Sequence, residues 1–174
     1  RKEVVSHLNQ ISLADTSSFP NAQMAMFGKI ESFLDESPAL EVEEWVRSEL
    51  SKTRFNNNDW RGPKIGPHTS DFLVQHKTNG NEARQCSTGE QKALLISIIL
   101  AATRLISQER GQAPLLLLDE IAAHLDVIRR KALFEIISEM GIQAWMTGTD
   151  EMIYNTLGSQ AQHFKIINAN VQQV

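Results

Sequence analysis

The stretch PLLLLDEIAAHLD, residues 114–126, joins four consecutive leucines to two adjacent carboxylates, and a third carboxylate ends it. An uninterrupted apolar run of this kind suits a strand that is buried on both faces of a parallel sheet. Asp119 and Glu120 would then stand at the carboxyl end of the strand, where α/β sheets bind ligands. Buried carboxylates need a partner, and a magnesium ion that bridges nucleotide phosphates is a common one. The alternative interpretation is a core strand followed by an ordinary acidic helix cap.

A second motif, CSTGEQK at residues 86–92, lies upstream and opens an apolar stretch with helical character. Ser87 and the Gly89 amide, at the start of a long helix, would offer hydrogen-bond donors and the positive end of the helix dipole to phosphate oxygens. Thr88 fits a plain helix cap equally well. Glu90 stands three residues after Ser87, which is the spacing of a capping box. The structural and the functional interpretation of Glu90 are compatible.

The composition limits the class of protein. The 174 residues suffice for one domain that buries about 70% of the surface of its unfolded chain. One cysteine, Cys86, excludes an internal disulfide framework and fits a reducing compartment. No apolar stretch is long enough to span a bilayer and no signal segment opens the chain, so we expect a cytoplasmic protein without a membrane partner. The net charge of −4 gives no general support for nucleic-acid binding, so any DNA contact would need a local basic patch or a second subunit.

The order of the predicted elements indicates an α/β fold with a parallel sheet. Residues 1–62 have a mainly helical pattern, and the polar run 55–67 predicts a loop at a sub-domain boundary. Residues 22–28 alternate like a strand but are too few to decide. The elements predicted after the loop are a strand at 72–76, a turn at 79–80, a helix at 90–108, the leucine strand, a helix at 127–140 and a strand at 143–147. This alternation is typical of a parallel α/β sheet.

Four motifs, taken in order, resemble those of a known family. The pattern Ser-x-Gly-Glu-Gln from Ser87 resembles the signature of ABC-type ATPases, and the strand that ends in Asp119-Glu120 resembles their Walker B element. The four stretches are GPHTSDF (66–72), CSTGEQKALL (86–95), LLDEIAAHLD (117–126) and AWMTGTD (144–150). Together they resemble the C-terminal half of the RecF family of bacterial DNA replication and repair proteins, and the match covers residues 63–155 well.

The resemblance implies an ABC-type ATPase head with a helical second lobe. Residues 1–62 would belong to the second lobe, and residues 63–174 would form the C-terminal part of the parallel-sheet ATPase lobe. No phosphate-cradling Gly-x-x-x-x-Gly-Lys-Ser/Thr loop occurs in the sequence. We therefore expect the nucleotide-cradling half of the head to precede Arg1, and we expect this chain alone to bind and hydrolyse ATP poorly. The complete protein would be a slow, magnesium-dependent ATPase.

The carboxylates and the resemblance together assign the catalytic residues. Asp119 is placed to hold Mg²⁺, since this ion keeps several waters and takes few carboxylates. Glu120 would polarise or orient the water that attacks the γ-phosphate of ATP. Thr149 stands where many ABC-type ATPases have a switch histidine, and a slip of one residue would point to Thr147 or Asp150 instead. A threonine donates one hydrogen bond but carries no charge, so slow hydrolysis is predicted.

The resemblance also implies a homodimer that forms on ATP binding. The signature of one subunit would close over ATP held by the other subunit. The signature residues are Ser87, Thr88, Gly89, Glu90 and Gln91. His124 and Asp126 occupy the position of the family's D-loop, which would order the seam of the dimer.

The function that the resemblance implies is work on DNA during repair and replication. The dimer would bind single- and double-stranded DNA at gaps or junctions, help RecR and RecO to load recombinase, and use ATP as a slow timer. Two alternatives stay open, namely a non-catalytic dimerisation or docking module and the head of another SMC-like or transporter ABC ATPase. Glu120 favours hydrolysis over a scaffold, and the absence of flanking heptads counts against a long-armed SMC protein.

Overall fold

The computed structural model describes residues 1–55, 64–121, 125–149, 157 and 160–173. The chain divides into two compact units, Arg1–Asp15 with Asn21–Cys86 and Thr16–Pro20 with Ser87–Val174. The assignment of residues 1–62 to a second lobe and of 63–174 to an ATPase lobe stays a prediction. Within the described ranges, no helix is both long and apolar enough to cross a membrane.

The first unit is built from three helices and one antiparallel pair of strands among its described residues. Its elements are α1 (Lys2–Ala14), β1 (Ala22–Phe27), α2 (Lys29–Glu36), α3 (Ala39–Phe55) and β2 (Asp71–His76), with short 3₁₀ turns at Pro67–Thr69 and Ala83–Gln85. The pairing of β1 with β2 runs from Ala22 opposite His76 to Phe27 opposite Asp71. The predicted strand at 72–76 is confirmed, and the short alternating run at 22–28 is also a strand.

Side chains of helix α1 form hydrogen bonds with the backbone of β1. The Asn9 side chain donates to the Met24 carbonyl at 2.8 Å and accepts from the Met24 amide at 2.7 Å. The Ser12 hydroxyl accepts from the Ala22 amide at 2.9 Å. These bonds satisfy backbone groups of β1 that β2 does not reach, because β2 is the one strand that pairs with β1 among the described residues.

A buried carboxylate anchors the turn that carries the Gly-Pro-His element. Glu31, in the first turn of α2, is 6% exposed and accepts from the Ser70 hydroxyl at 2.8 and 2.9 Å. The Arg1 guanidinium lies 3.7 Å from the same carboxylate. A Cβ on Gly28 would overlap Glu31 and come within 3.0 Å of the Ser70 hydroxyl oxygen. A side chain at residue 28 would therefore force the Glu31 carboxylate and Ser70 to shift.

The second unit contains the long helix and the leucine strand. Its elements are α4 (Thr88–Arg110), β3 (Leu116–Leu118), α5 (Val127–Glu139), β4 (Ala144–Met146), β5 (Phe164–Ile167) and β6 (Asn170–Gln173). Helix α4 ends where Gly111 adopts a left-handed conformation with φ of 66°. Strands β3 and β4 pair in parallel, with Leu116 opposite Ala144 and Leu118 opposite Met146. The predicted parallel pairing is confirmed for β3 and β4, and so are the helices on either side of β3 in the chain. The expectation that the strand at 72–76 belongs to the same parallel sheet is wrong, because β2 pairs antiparallel with β1.

The core of this unit lies on one face of β3 only. Leu116 and Leu118 pack with residues of α4 and α5, among them Leu100 and Leu133. In contrast, the side chains of Leu115 and Leu117 are 55% and 70% exposed. The prediction of a strand buried on both faces is therefore wrong for this chain. Side chains alternate along a strand, and the described helices cover one of the two faces.

The hairpin of β5 and β6 was not predicted from the sequence. Its turn uses Asn168 and Ala169, both with positive φ, of 48° and 62°. Positive φ at both central residues is typical of a type I′ turn, which usually takes Asn-Gly. Because alanine replaces the glycine, the usual sequence signal for this hairpin is missing. Phe164 of β5 stacks on Trp145 of β4, with 6.3 Å between the ring centroids.

Candidate functional site

The carboxyl ends of β3 and β4 bring the candidate site together. Because the two strands are parallel and Leu118 is opposite Met146, the residues that follow them, Asp119 and Thr147, lie side by side. The Thr147 amide continues the ladder by donating to the Leu118 carbonyl at 3.0 Å. The position of Thr147 beside the acidic pair is therefore fixed by the register of the sheet.

The hydroxyl of Thr147 contacts both members of the acidic pair. It donates to the Oδ1 atom of Asp119 and accepts from the backbone amide of Glu120 at 3.1 Å. The sequence suggested Thr149 for the position facing the phosphate, with Thr147 as an alternative. The structure places the Thr147 hydroxyl against the acidic pair, and Thr149 follows two residues further on; both threonines are exposed. The switch role of Thr149 stays a prediction, and Asp150 lies outside the described residues.

Glu120 has an unusual backbone conformation. Its φ is 50°, in the left-handed region that residues with a Cβ rarely adopt. This conformation costs about 1–2 kcal/mol for a residue other than glycine. Such outliers are concentrated at functional sites, where neighbouring contacts hold them in place. The contact that holds the Glu120 backbone here is the hydrogen bond from its amide to Thr147.

Asp119 and Glu120 are both exposed in this chain. The prediction that these carboxylates are buried is therefore wrong for this chain. Exposure leaves both carboxylates accessible to a ligand. A carboxylate has about four lone-pair positions, so the single bond from Thr147 leaves Asp119 with capacity for a metal ion.

The donor set around Asp119 fits magnesium better than a metal that needs a protein cage. In the described ranges, no group of three or more His, Cys, Asp or Glu side chains converges on one point. Mg²⁺ is usually held by one or two carboxylates together with substrate phosphates and water. Asp119 at the end of β3 matches that pattern. Sites such as structural zinc, which need four protein ligands, do not match it.

The signature motif forms the N-terminus of α4 as a capping box. The Ser87 hydroxyl accepts from the Glu90 amide at 3.3 Å, and the Glu90 carboxylate accepts from the Ser87 amide at 2.9 Å and from the Ser87 hydroxyl at 2.8 Å. The predicted capping box is confirmed. Thr88 and Gln91 are exposed on the same turn.

Gly89 has no structural requirement within this chain. A Cβ at this residue would meet no other atom within 4 Å, and its backbone is helical. Glycine is a poor helix former, so packing and propensity do not account for it. Open space beside an exposed helix N-terminus is compatible with the close approach of a ligand or of another molecule.

The D-loop residues are only partly described. His124 lies outside the described residues. Asp126 is the N-cap of α5, where its Oδ1 accepts from the Arg129 amide at 2.8 Å and its carboxylate lies 3.6 Å from the Arg129 guanidinium. The acidic helix cap that the sequence allowed near the leucine strand is thus formed by Asp126. A role for Asp126 at a dimer seam stays a prediction.

The first unit also contains an open cleft of about 690 Å³, lined by Phe27, Lys29, Trp45 and Asp71 among others. None of the predicted site residues lines this cleft. The candidate site at the ends of β3 and β4 is an exposed edge of a sheet.

Two curated relatives that match this chain are much longer than it is. The chain is 44% identical over 159 residues to the DNA replication and repair protein RecF of Mesorhizobium japonicum, which covers 91% of this chain and 42% of the relative. It is 42% identical over 174 residues to the RecF protein of Rhizobium rhizogenes, covering 98% of this chain and 46% of the relative. The chain thus spans a little under half the length of these relatives. No protein-family model matches the chain.

Solved structures share the fold. A structure described as the recombination mediator protein RecF with ATPrS in the RecFOR pathway has a TM-score of 0.68 and 19% identity, over 99% of this chain and 44% of that one. A structure from work on ATP-driven dimerisation of SMC ATPases has a TM-score of 0.55 and 13% identity, over 99% of this chain and 84% of that one. The fold is that of a RecF and SMC-type head. Over the length that it spans, this chain therefore belongs to the RecF family of DNA replication and repair proteins.

Proposed function

We propose that this chain supplies the acidic site and the signature of a slow ATPase that acts on DNA during repair and replication. The observation that carries the proposal lies at the carboxyl ends of the paired strands β3 and β4. There the Thr147 hydroxyl contacts the Asp119 carboxylate and the Glu120 backbone amide. Such an edge is where α/β proteins bind nucleotides. The RecF structures that share this fold are described with ATP and ATPrS, which supports the same ligand here.

In this proposal the two carboxylates have different roles. Asp119, whose Oδ1 is held by Thr147, binds Mg²⁺ through its remaining lone pairs. When bound, the ion neutralises charge on the β- and γ-phosphates. Glu120 accepts a hydrogen bond from the attacking water and orients it towards the γ-phosphorus. Its exposed position at the end of β3 leaves room for that water.

The proposal extends to an ATP-dependent homodimer. Ser87, Gly89 and Gln91 of one subunit would contact ATP that is held by the other subunit, with Asp126 and His124 at the seam. The exposed N-terminus of α4 and the open space at Gly89 support the contact between the signature residues and ATP. The SMC structure with the same fold is described in terms of ATP-driven dimerisation, which is consistent with such a closure.

The exposed apolar face of β3 and β4 supports a further part of the proposal. Leu117 and its register partner Trp145 are 70% and 54% exposed on that face. Exposed apolar patches of this kind usually mark interaction surfaces. We infer that the phosphate-cradling part of a RecF-type head packs there and completes a continuous sheet.

The DNA substrate and the partners are proposed from the family alone. The substrates would be single- and double-stranded DNA at gaps or junctions, and the partners would be RecR and RecO, in the cytoplasm. Because the net charge is −4, DNA contact would depend on a local basic patch or on the dimer.

The test of the proposed ATPase is Glu120→Gln in the full polypeptide as its gene encodes it. Loss of the carboxylate that orients water should lower kcat at saturating Mg²⁺ and ATP by about 100-fold or more, within the range found for general bases. The ATP-dependent dimer, measured by light scattering, should persist or become longer-lived, because nucleotide binding does not need Glu120.

The matched control is Glu139→Gln, the same substitution at an exposed carboxylate that ends α5. Its kcat should equal that of the unmodified protein. An unchanged kcat in the Glu120→Gln protein would overturn the proposed function.

A further inference from the structure

The Thr147 hydroxyl contacts both carboxylate-bearing residues, Asp119 and Glu120. A hydroxyl has one proton to donate and two lone pairs that accept. Here the proton is donated to the Asp119 carboxylate and one lone pair accepts from the Glu120 amide. The two acidic residues are adjacent in the chain. The same oxygen atom therefore holds the side chain of Asp119 and the backbone of Glu120.

The position of that hydroxyl is itself fixed by the backbone. The Thr147 amide donates to the Leu118 carbonyl at 3.0 Å, so the backbone of residue 147 is held by the β3–β4 ladder directly before the two residues that its hydroxyl contacts. Leu118 is buried in the core of the second unit. The backbone of Thr147 is therefore tied to a buried residue of the sheet, whereas the Thr147 side chain and the two carboxylates are exposed.

We propose that Thr147 is a positioning residue for the ATPase reaction, which orients the Asp119 carboxylate and stabilises the left-handed backbone of Glu120 so that both act on one nucleotide. This inference rests on the proposed function. It assigns to Thr147, through its contacts with Asp119 and Glu120, a role distinct from the switch role proposed for Thr149.

The chemistry explains why a hydroxyl is needed at this residue. A hydrogen bond to an ionised carboxylate is stronger than one between neutral groups and restricts the rotation of the carboxylate. The amide of Glu120 finds its acceptor in the Thr147 hydroxyl, at 3.1 Å. Valine has the shape of threonine but offers neither group. Serine offers both and lacks only the methyl group.

The experiment compares Thr147→Val, Thr147→Ala and Thr147→Ser in the full polypeptide. The first measurement is the affinity for Mn²⁺, used in place of Mg²⁺, in the presence of a non-hydrolysable ATP analogue, by electron paramagnetic resonance. The second is kcat at saturating metal and ATP. Residues that orient a metal ligand typically change metal affinity or activity by about 10- to 100-fold when they are replaced. We expect losses of that size for Val and Ala and a loss below about threefold for Ser.

The control is Thr78→Val, at an exposed threonine in the turn after β2. It should leave both quantities unchanged, and thermal unfolding should show that all variants are folded. If Thr147→Val does not fold, the comparison of Ala with Ser answers the same question, because both remove the methyl group and only Ser keeps the hydroxyl.

Two results would overturn the inference. One is wild-type Mn²⁺ affinity and kcat in the Val or Ala variant, and the other is an equal loss in the Ala and Ser variants. The Glu120→Gln variant distinguishes a failure of the role proposed for Thr147 from a failure of the proposed ATPase function. If Glu120→Gln abolishes hydrolysis while Thr147→Val has no effect, the ATPase stands and the role of Thr147 does not.

Discussion

At the scale of single residues, Glu120 combines an unfavourable backbone with an exposed acidic side chain. A glycine would adopt its φ of 50° without the steric cost that a Cβ brings. Nothing in the packing requires a long side chain here, because the residue is exposed. The glutamate is therefore retained against local conformational preference, which is what a functional carboxylate at this residue would produce.

This conflict gives a prediction for Glu120→Gly and Glu120→Ala. Both variants lose the carboxylate, so both should lose ATP hydrolysis. Only glycine relieves the left-handed strain, so the Gly variant should be more stable than the Ala variant by about 1 kcal/mol. The measurement is the midpoint of thermal unfolding of the two full-length proteins, compared directly. An Ala variant as stable as the Gly variant would contradict the left-handed conformation of residue 120.

At the scale of elements, sequence patterns located most of the second unit. Helix α4 was predicted because a capping-box motif precedes a long apolar run, and α5 was predicted to end at Gly141. The leucine run predicted β3 and its partner β4. The hairpin of β5 and β6 was missed because its turn contains Asn168-Ala169 in place of Asn-Gly.

The candidate site was predicted less completely than the elements. The acidic pair could be found from sequence, because Asp119 and Glu120 follow an apolar strand directly. The contact between Thr147 and the acidic pair could not be predicted from sequence alone, because it depends on the register between two strands that are distant in the chain. A shift of that register by two residues would have brought Thr149 to the same place.

The capping box of α4 gives a prediction at the same scale. Glu90→Ala removes the acceptor of the Ser87 amide and hydroxyl, so the stability of the protein should fall by about 0.5–2 kcal/mol, the usual range for a lost N-terminal cap. The matched control is Glu109→Ala in the last turn of α4, where a negative charge opposes the helix dipole. Urea denaturation should show a loss for Glu90→Ala and no loss for Glu109→Ala. Equal stability of the two variants would contradict the capping role of Glu90.

At the scale of the whole molecule, the central claim is that two parts of the second unit serve nucleotides held by different subunits. The acidic pair at the end of β3 would act on the nucleotide of its own subunit, and the signature at the start of α4 on that of its partner. In a two-fold symmetric dimer each of the two sites would then take Glu120 from one subunit and Ser87 from the other.

The most direct test is complementation between two inactive proteins, Ser87→Arg and Glu120→Gln, in the full polypeptide. Each homodimer has two defective sites, because every site lacks either a working signature or the carboxylate. In a mixed dimer one site recovers both Ser87 and Glu120, and the other site loses both. An equimolar mixture should therefore recover about a quarter of the wild-type ATPase rate, since random exchange gives half mixed dimers with one active site each. A mixture as inactive as its two components, with subunit exchange demonstrated, would contradict the account.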